Sequence, residues 1–353
     1  MTAQRPVAWH VGRQGEVAGG MTQVVNGYLS WPFEFFELRV IRSRDGSRGP
    51  RAWWLFLRAC LAVLTLSEPR RNIVIVHLSQ GGSFLREGLL LWLARRRGFG
   101  TVAHLHGSSF VAFAQRRPGL VRWVLSAATR VLVLSEATRA AVSKLVPACR
   151  VQLVPNAVPP GAERPKEKLV VFGGGVTRRK GVDVLVDAWR QVGGNRGWQL
   201  VVAGPVVDAD VVPESLPDAL FPGATPHAEL MALLERSSIA VLPSRDEAMP
   251  MFILEAMARS NCVISTAVGS ISWVVREGRG VGLPAGDSAA LAAALRRAMD
   301  DAAWRAAVAQ TGRVAFDGEF SAKAVYPRVE EIWRKVLAHP APQGEPSKLQ
   351  RGT

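Results

Sequence analysis

Short apolar runs alternate with longer helical patterns through most of the chain. Pro6 to Val11, Leu38 to Ile41, Asn72 to Leu78 (NIVIVHL), Thr101 to His106 (TVAHLH) and Arg130 to Ser135 (RVLVLS) have the β-rich, continuous hydrophobicity of buried parallel strands. GEVAGGMTQVVNGYL, Ala52 to Leu66, GSFLREGLLLWLARRRG and a segment opening at Glu136 read as helices between or after them. The rhythm resumes with strands at Leu169 to Phe172, WQLVVAGP, Ile239 to Leu242 and CVIST. One helix follows the glycine-rich GGGVTRRKG, and another starts near Pro250 within the stretch Ser244 to Ser260. Asp287 is placed to cap a further helix, DSAALAAALRRAM. This alternation predicts an α/β fold with parallel sheets. VQLVPNAVPP, rich in turn residues, interrupts it, so two units are expected: an N-terminal one over 1–160 and a C-terminal one over 166–320. A last amphipathic helix is expected over 321–338, then a polar tail, 339–353, that should be disordered.

The net charge of +15 is unevenly spread. Residues 1–165 hold 22 Lys+Arg and 8 Asp+Glu, whereas 166–353 hold 22 and 21. The first half should therefore meet an anionic partner: nucleic acid, an anionic membrane surface or a diphosphate-bearing substrate. Arginines scattered among apolar helices, with no nucleic-acid module, speak against nucleic acid. Ala52 to Leu66 is almost wholly apolar around Arg58. Fifteen residues are too few to span a bilayer, which needs about 20. The segment is either a packed helix or one lying in a membrane interface with Trp53 and Trp54 at headgroup level. Three cysteines, Cys60, Cys149 and Cys262, lack metal-like spacing and are expected as reduced thiols in a cytoplasmic protein.

Candidate chemistry gathers where strands give way to helices. Glu247 and Glu255 stand eight positions apart, with Met249, Pro250 and Met251 between them. Pro250 suits a helix start. Glu247 would then lie in the loop and Glu255 about one turn in, both near a helix N-terminus that favours phosphate. Gly173, Gly174 and Gly175 permit close approach of a ligand, and Arg178, Arg179 and Lys180 supply charge for a nucleotide diphosphate. In the first half Gly19 and Gly20 open a helix, though without GxGxxG spacing; a tight turn explains them equally well. His106 ends a strand ahead of a glycine, at the edge where open sheets bind ligands, while His104 is expected to face the other way and be structural. Asp208-Ala209-Asp210 has a DxD pattern but is expected to be incidental, and no metal or other cofactor is expected. Gly269-Ser270 is expected at the ligand edge.

GGGVTRRKG, EAMPMFILEAMA with its E-x7-E spacing, and GLPAGD, in that order, resemble the retaining GT-B glycosyltransferases, in particular family 4; PNAV and LSEAT resemble it too. The resemblance covers roughly residues 5–335. It implies two Rossmann-like domains facing a cleft, the C-terminal helix crossing back to the first domain, and a UDP- or GDP-sugar donor. It further implies that Glu247 contacts the donor sugar, Glu255 the ribose and Lys180 the diphosphate, with His106 beside the sugar and Gly20 on the diphosphate or acceptor side. The arginine usual five positions before that lysine is Gly175 here, so Arg178 or Arg179 would replace it. The basic first half suits a lipid-linked glycan acceptor at the inner face of the membrane, in polysaccharide assembly. An epimerase-like relative and a basic protein that binds nucleic acid or membrane remain alternatives.

Overall fold

The computed structural model describes residues 4–15, 20–47, 49–162, 164–193 and 197–339. Gly19 and nearly all of the polar tail thus lie outside the described residues. In the first half the strands are β1 (Val7–Gly12), β2 (Glu37–Arg42), β3 (Ile73–Leu78), β4 (Gly100–Leu105), β5 (Arg130–Val133) and β6 (Val151–Leu153). They form one parallel sheet in the order β2-β1-β3-β4-β5-β6. Helices α1 (Gly20–Ser30), α2 (Pro50–Thr65), α3 (Gly82–Arg96), α4 (Phe110–Arg116), α5 (Pro118–Ser126) and α6 (Glu136–Ser143) lie between them in sequence. β3 and β4 are buried at every position, as their unbroken apolar runs require.

The second half repeats the design with β7 (Glu167–Gly173), α7 (Val182–Val192), β8 (Gln199–Ala203), β9 (Ala219–Gly223), α8 (His227–Arg236), β10 (Ser237–Leu242), α9 (Met251–Met257), β11 (Cys262–Thr266), α10 (Ile271–Val274) and β12 (Val281–Leu283). Its sheet is again parallel, in the order β12-β11-β10-β7-β8-β9. α11 (Ser288–Asp300), capped by Asp287, α12 (Ala302–Ala315) and α13 (Ala322–Ala338) complete the chain. The molecule is thus α/β, with two Rossmann-like domains of the GT-B type.

The strand order reverses between β1 and β3 in one sheet and between β7 and β10 in the other. Loops diverge from such points and leave a crevice at the carboxyl ends of the strands. The two crevices face one another. The chain crosses between the halves twice, at neighbouring places: Val158 and Ser321 form a parallel bridge, and Ala322 N donates to Val158 O at 3.0 Å. α13 then packs on β3 and β4. Its fully buried Trp333 lies 5.1 Å from Phe33 and 5.5 Å from Tyr28, ring centre to ring centre, and Glu330 accepts from the backbone N of Phe35 at 2.8 Å.

α2 packs on the domain through one face and exposes apolar side chains on the other. It buries Ala52, Leu55, Phe56, Ala59 and Val63, and leaves Trp53, Trp54, Leu57 and Leu61 each more than half exposed. No helix among the described residues is long and apolar enough to cross a membrane.

Candidate active site

A cavity of about 740 Å³ opens between the halves. His106, Gly20, Gly174, Gly175, Arg179, Lys180, Glu247, Met249, Pro250, Met251 and Glu255 all line it. These residues come from both switch points, which is why positions up to 235 apart in sequence share one space.

The second-half wall is organised by paired charges. Glu247, buried in the loop after β10, receives Lys180 Nζ in a very short contact and Ser244 Oγ at 2.9 Å. Arg179 Nη1 donates to the Asp246 carbonyl at 2.8 Å and lies 3.8 Å from Glu247 Oε1. Pro250 immediately precedes α9, and Glu255 follows one turn in, buried, its carboxylate accepting from His227 Nε2 at 2.8 Å. That contact holds the His227 imidazolium above its usual range. The glycines set the backbone: a Cβ on Gly204 would fall 1.9 Å from Gly174 O, so the ends of β7 and β8 meet in a contact that excludes any side chain there.

Several expectations change here. Arg178 does not line the cavity. It is drawn outward to Asp210 in a very short ion pair, and its backbone N donates to Asp208 at 2.8 Å. Its guanidinium is therefore committed away from the cleft, and Arg179 is the arginine that stands beside Lys180. The same contacts give Asp208 and Asp210 a role: they hold the TRRK turn in place. Gly269-Ser270 buttresses the Glu247 loop instead of meeting the ligand edge. Ser270 N donates to Ala248 O at 3.1 Å, and Gly269, at φ +56°, has no room for a Cβ, which would lie 1.8 Å from Glu247 O.

The first-half wall is built from imidazoles. His106 Nε2 lies 2.9 Å from His77 Nδ1, and His77 Nε2 lies 3.0 Å from His10 Nδ1. The chain of rings runs from the cleft into the core beside Trp333. His104 does not face away from His106. Strand side chains repeat every two residues, so positions 104 and 106 share a face, and their ring centres are 4.1 Å apart. Neither ring nitrogen of His104 has a partner among the described residues. Burial keeps these rings neutral, lowering His10 and His104 to about 3 and His77 and His106 well below the usual range. His77, His104 and His106 offer nitrogens within 4.8 Å of one another.

Other residues at or beside the cavity carried weaker sequence signals. Asn156 of PNAV donates Nδ2 to Met249 O at 2.9 Å and so positions the Met249-Pro250-Met251 turn. Ser108 and Ser109 reach across the cleft to Asp246 Oδ2 at 2.7 and 2.6 Å. His227, the partner of Glu255, follows a proline on a segment with no marked pattern, and only the fold brings it into view.

Family models match both halves: "Glycosyltransferase Family 4" over residues 24–161 and "Glycosyl transferases group 1" over 167–301. The chain belongs to the group 1/family 4 glycosyltransferases. Glycogen synthase of Mycobacterium tuberculosis is 33% identical over 114 residues, 32% of this chain and 28% of that protein. D-inositol 3-phosphate glycosyltransferase 1 of Catenulispora acidiphila is 27% identical over 186 residues, 48% of this chain and 44% of that one. The chain thus matches between under a third and about half of the length of its curated relatives. Sucrose-phosphate synthase from Thermosynechococcus elongatus superposes with a TM-score of 0.72 at 19% identity, covering 95% of this chain and 100% of that one. Anabaena HepE, solved with UDP and glucose, gives 0.71 at 14% identity, covering 93% and 99%. These structures share the glycosyltransferase's fold.

Proposed function

We propose that this glycosyltransferase moves a sugar, with retention, from a nucleotide diphosphate sugar to a lipid-linked glycan at an anionic membrane surface. The observation that carries the reading is the Lys180–Glu247 pair, with Glu255 beside it, facing His106 across one cavity. As the sugar C1–O bond breaks, charge builds on the diphosphate. Lys180 turns from Glu247 to that charge and Arg179 adds to it, with no metal required. Glu247 is freed to accept from sugar hydroxyls, and Glu255 exchanges His227 for the ribose hydroxyls. Among the described residues, both cavity-lining carboxylates stand on the second-half wall. This supports attack of the acceptor oxygen on the face the diphosphate leaves, a departing phosphate oxygen taking the acceptor proton, over a two-carboxylate scheme. The UDP in the HepE structure favours UDP as the carrier over GDP.

The membrane part rests on the outward face of α2. The stacked Trp92–Trp123 pair, ring centres 5.6 Å apart, lies on the neighbouring α3 and α5. Residues 46–135 hold only two acids, Glu68 and the buried Glu87. Apolar and cationic groups with Glu68 as the one exposed acid of the stretch suit anionic headgroups, at roughly 1 kcal/mol per basic residue. Such a protein works at the cytoplasmic face, bound peripherally.

Thermal stability with UDP, GDP and ADP, beside Glu255→Ala, tests the donor site. A ligand at about 100 times its Kd adds roughly 2.7 kcal/mol, several degrees for domains of this size. A rise with UDP that the variant lacks supports the reading; no rise with any nucleotide overturns it. Sedimentation with anionic vesicles at low salt should fall in Trp53→Ser/Trp54→Ser, and wild-type protein that stays in the supernatant removes the membrane step.

A further inference from the structure

Among the described residues, the first-half wall carries positive charge that its own groups balance only in part. Arg13 follows the last residue of β1 and Arg44 follows β2 by two; these strands pair in register, Gly12 with Arg42, so both arginines emerge at the same sheet edge. Both line the cavity. The Nε of each is buried and, among the described residues, donates no hydrogen bond. Arg44 Nη2 reaches only the thioether of Met21, at 2.8 Å, a weak acceptor. Glu87, from α3, comes within 3.6 Å of Arg44 Nε without completing a hydrogen bond, and Arg86 stands near the same acid. Arg13 has no carboxylate partner among the described residues. Among the described residues, every carboxylate lining the cavity is on the other wall, engaged with Lys180 or His227.

We infer that Arg13 and Arg44 form an anion subsite that holds a phosphoryl group of the acceptor while its hydroxyl is presented beside His106. The inference rests on the transferase reading, which puts the donor diphosphate at Lys180 and Arg179 on the opposite wall. A buried guanidinium with an unused donor is costly unless an anion supplies the missing acceptor. Guanidinium forks match phosphate oxygens in pairs. Two guanidiniums, with Ser79 and Gln80 beside them in the cavity lining, offer more donors than the two oxygens of a carboxylate can take. An acceptor linked through a phosphate or diphosphate uses all of them.

The test is calorimetric titration of the full chain, first saturated with UDP. Inorganic pyrophosphate should bind this complex as a second ligand, and both Arg13→Gln and Arg44→Gln should weaken that binding at least about ten-fold, the loss of a charge-assisted contact. Arg44 is nearly buried and its variant can fail to fold. Arg13 has no ion pair among the described residues, so Arg13→Gln decides alone if needed. Geranyl diphosphate in place of pyrophosphate separates the sources: tighter binding identifies a lipid-linked acceptor, equal binding a soluble phosphosugar, and either upholds the phosphoryl site. Pyrophosphate that merely displaces UDP, variants that bind it like wild type, or glucuronate that binds as tightly as pyrophosphate would each overturn the inference. A wild-type protein that binds no UDP instead sinks the transferase reading on which it stands.

Discussion

The two walls of the cleft solve the same electrostatic problem in opposite ways. On the second-half wall each cation in or beside the site has a built-in acid: Lys180 has Glu247, Arg178 has Asp210, and Arg245 grips Asp183 with a two-point fork at 2.7 and 2.8 Å. On the first-half wall the polar groups are neutral imidazoles and arginines with unused donors. A paired wall is pre-organised, and a ligand must exchange its charges for existing ones. The unpaired wall waits for charge to arrive. The lesson is that the +14 excess of the first half is a local property of the site as well as of the surface.

Breaking the paired wall should have the largest effect. Lys180→Gln is expected to lower UDP release from the UDP-sugar by about 10²–10³-fold in kcat, as loss of a donor to developing charge does. A variant within a few-fold of wild type would mean that Arg179 carries the diphosphate alone.

The histidines of the two walls should respond to pH with opposite sign. His10 and His104 are lowered to about 3 in the folded protein, below the unfolded value of 6.5. The unfolded chain therefore binds more protons between these limits. Their contribution is full above pH 6.5 and is lost as pH falls toward 3, at up to about 1.4 kcal/mol per pH unit for each ring. Urea unfolding between pH 7.5 and 5 should show this slope, and His104→Leu should shallow it by about one proton; an unchanged slope would show that His104 is not buried as described. His227 is raised, by Glu255 foremost, so its contribution is present below pH 6.5 and lost as pH rises through its folded value. Being partly exposed, it should contribute much less, and an NMR titration of its ring in wild type and Glu255→Gln reads the shift directly.

Smaller effects separate ligand-facing from supporting groups. His227→Gln should lower the KM for donor by up to several-fold and leave kcat nearly unchanged, because Glu255 then gives up a weaker partner, a difference of about 1 kcal/mol, to take the ribose. Arg178→Ala should change both by no more than about two-fold, because its ion pairs are exposed and face away from the cleft. A large fall in kcat there would return Arg178 to the site.

These cases also mark how far the sequence could be read. The α/β class, the two-domain plan, the turn at Pro250 and the Glu247–Glu255 pair were legible because each depends on local chemistry: hydrophobic period, glycine placement and proline geometry. Period alone also implies that His104 and His106 share a face, so the contrary expectation was an error in applying alternation. The choice between Arg178 and Arg179 was not legible. It depends on Asp210, which the fold brings to the TRRK turn from 32 positions away. The same holds for Gly269, whose need for glycine comes from a carbonyl 22 positions upstream, and for the half-exposed α2, whose apolar pattern continues round both faces.

By itself the sequence determined which elements form and which residue types stand at the strand ends, since backbone preference and burial act over a few neighbours. Only the tertiary structure decided which charges are neutralised. His10 joins His77 from 67 positions away, Ser108 joins Asp246 from 138, and among the described residues Arg13 is left without an acid while Arg44 meets Glu87 only at 3.6 Å. Whether a guanidinium or carboxylate is balanced depends on what the fold packs beside it, and at these separations the order of residues along the chain does not specify that.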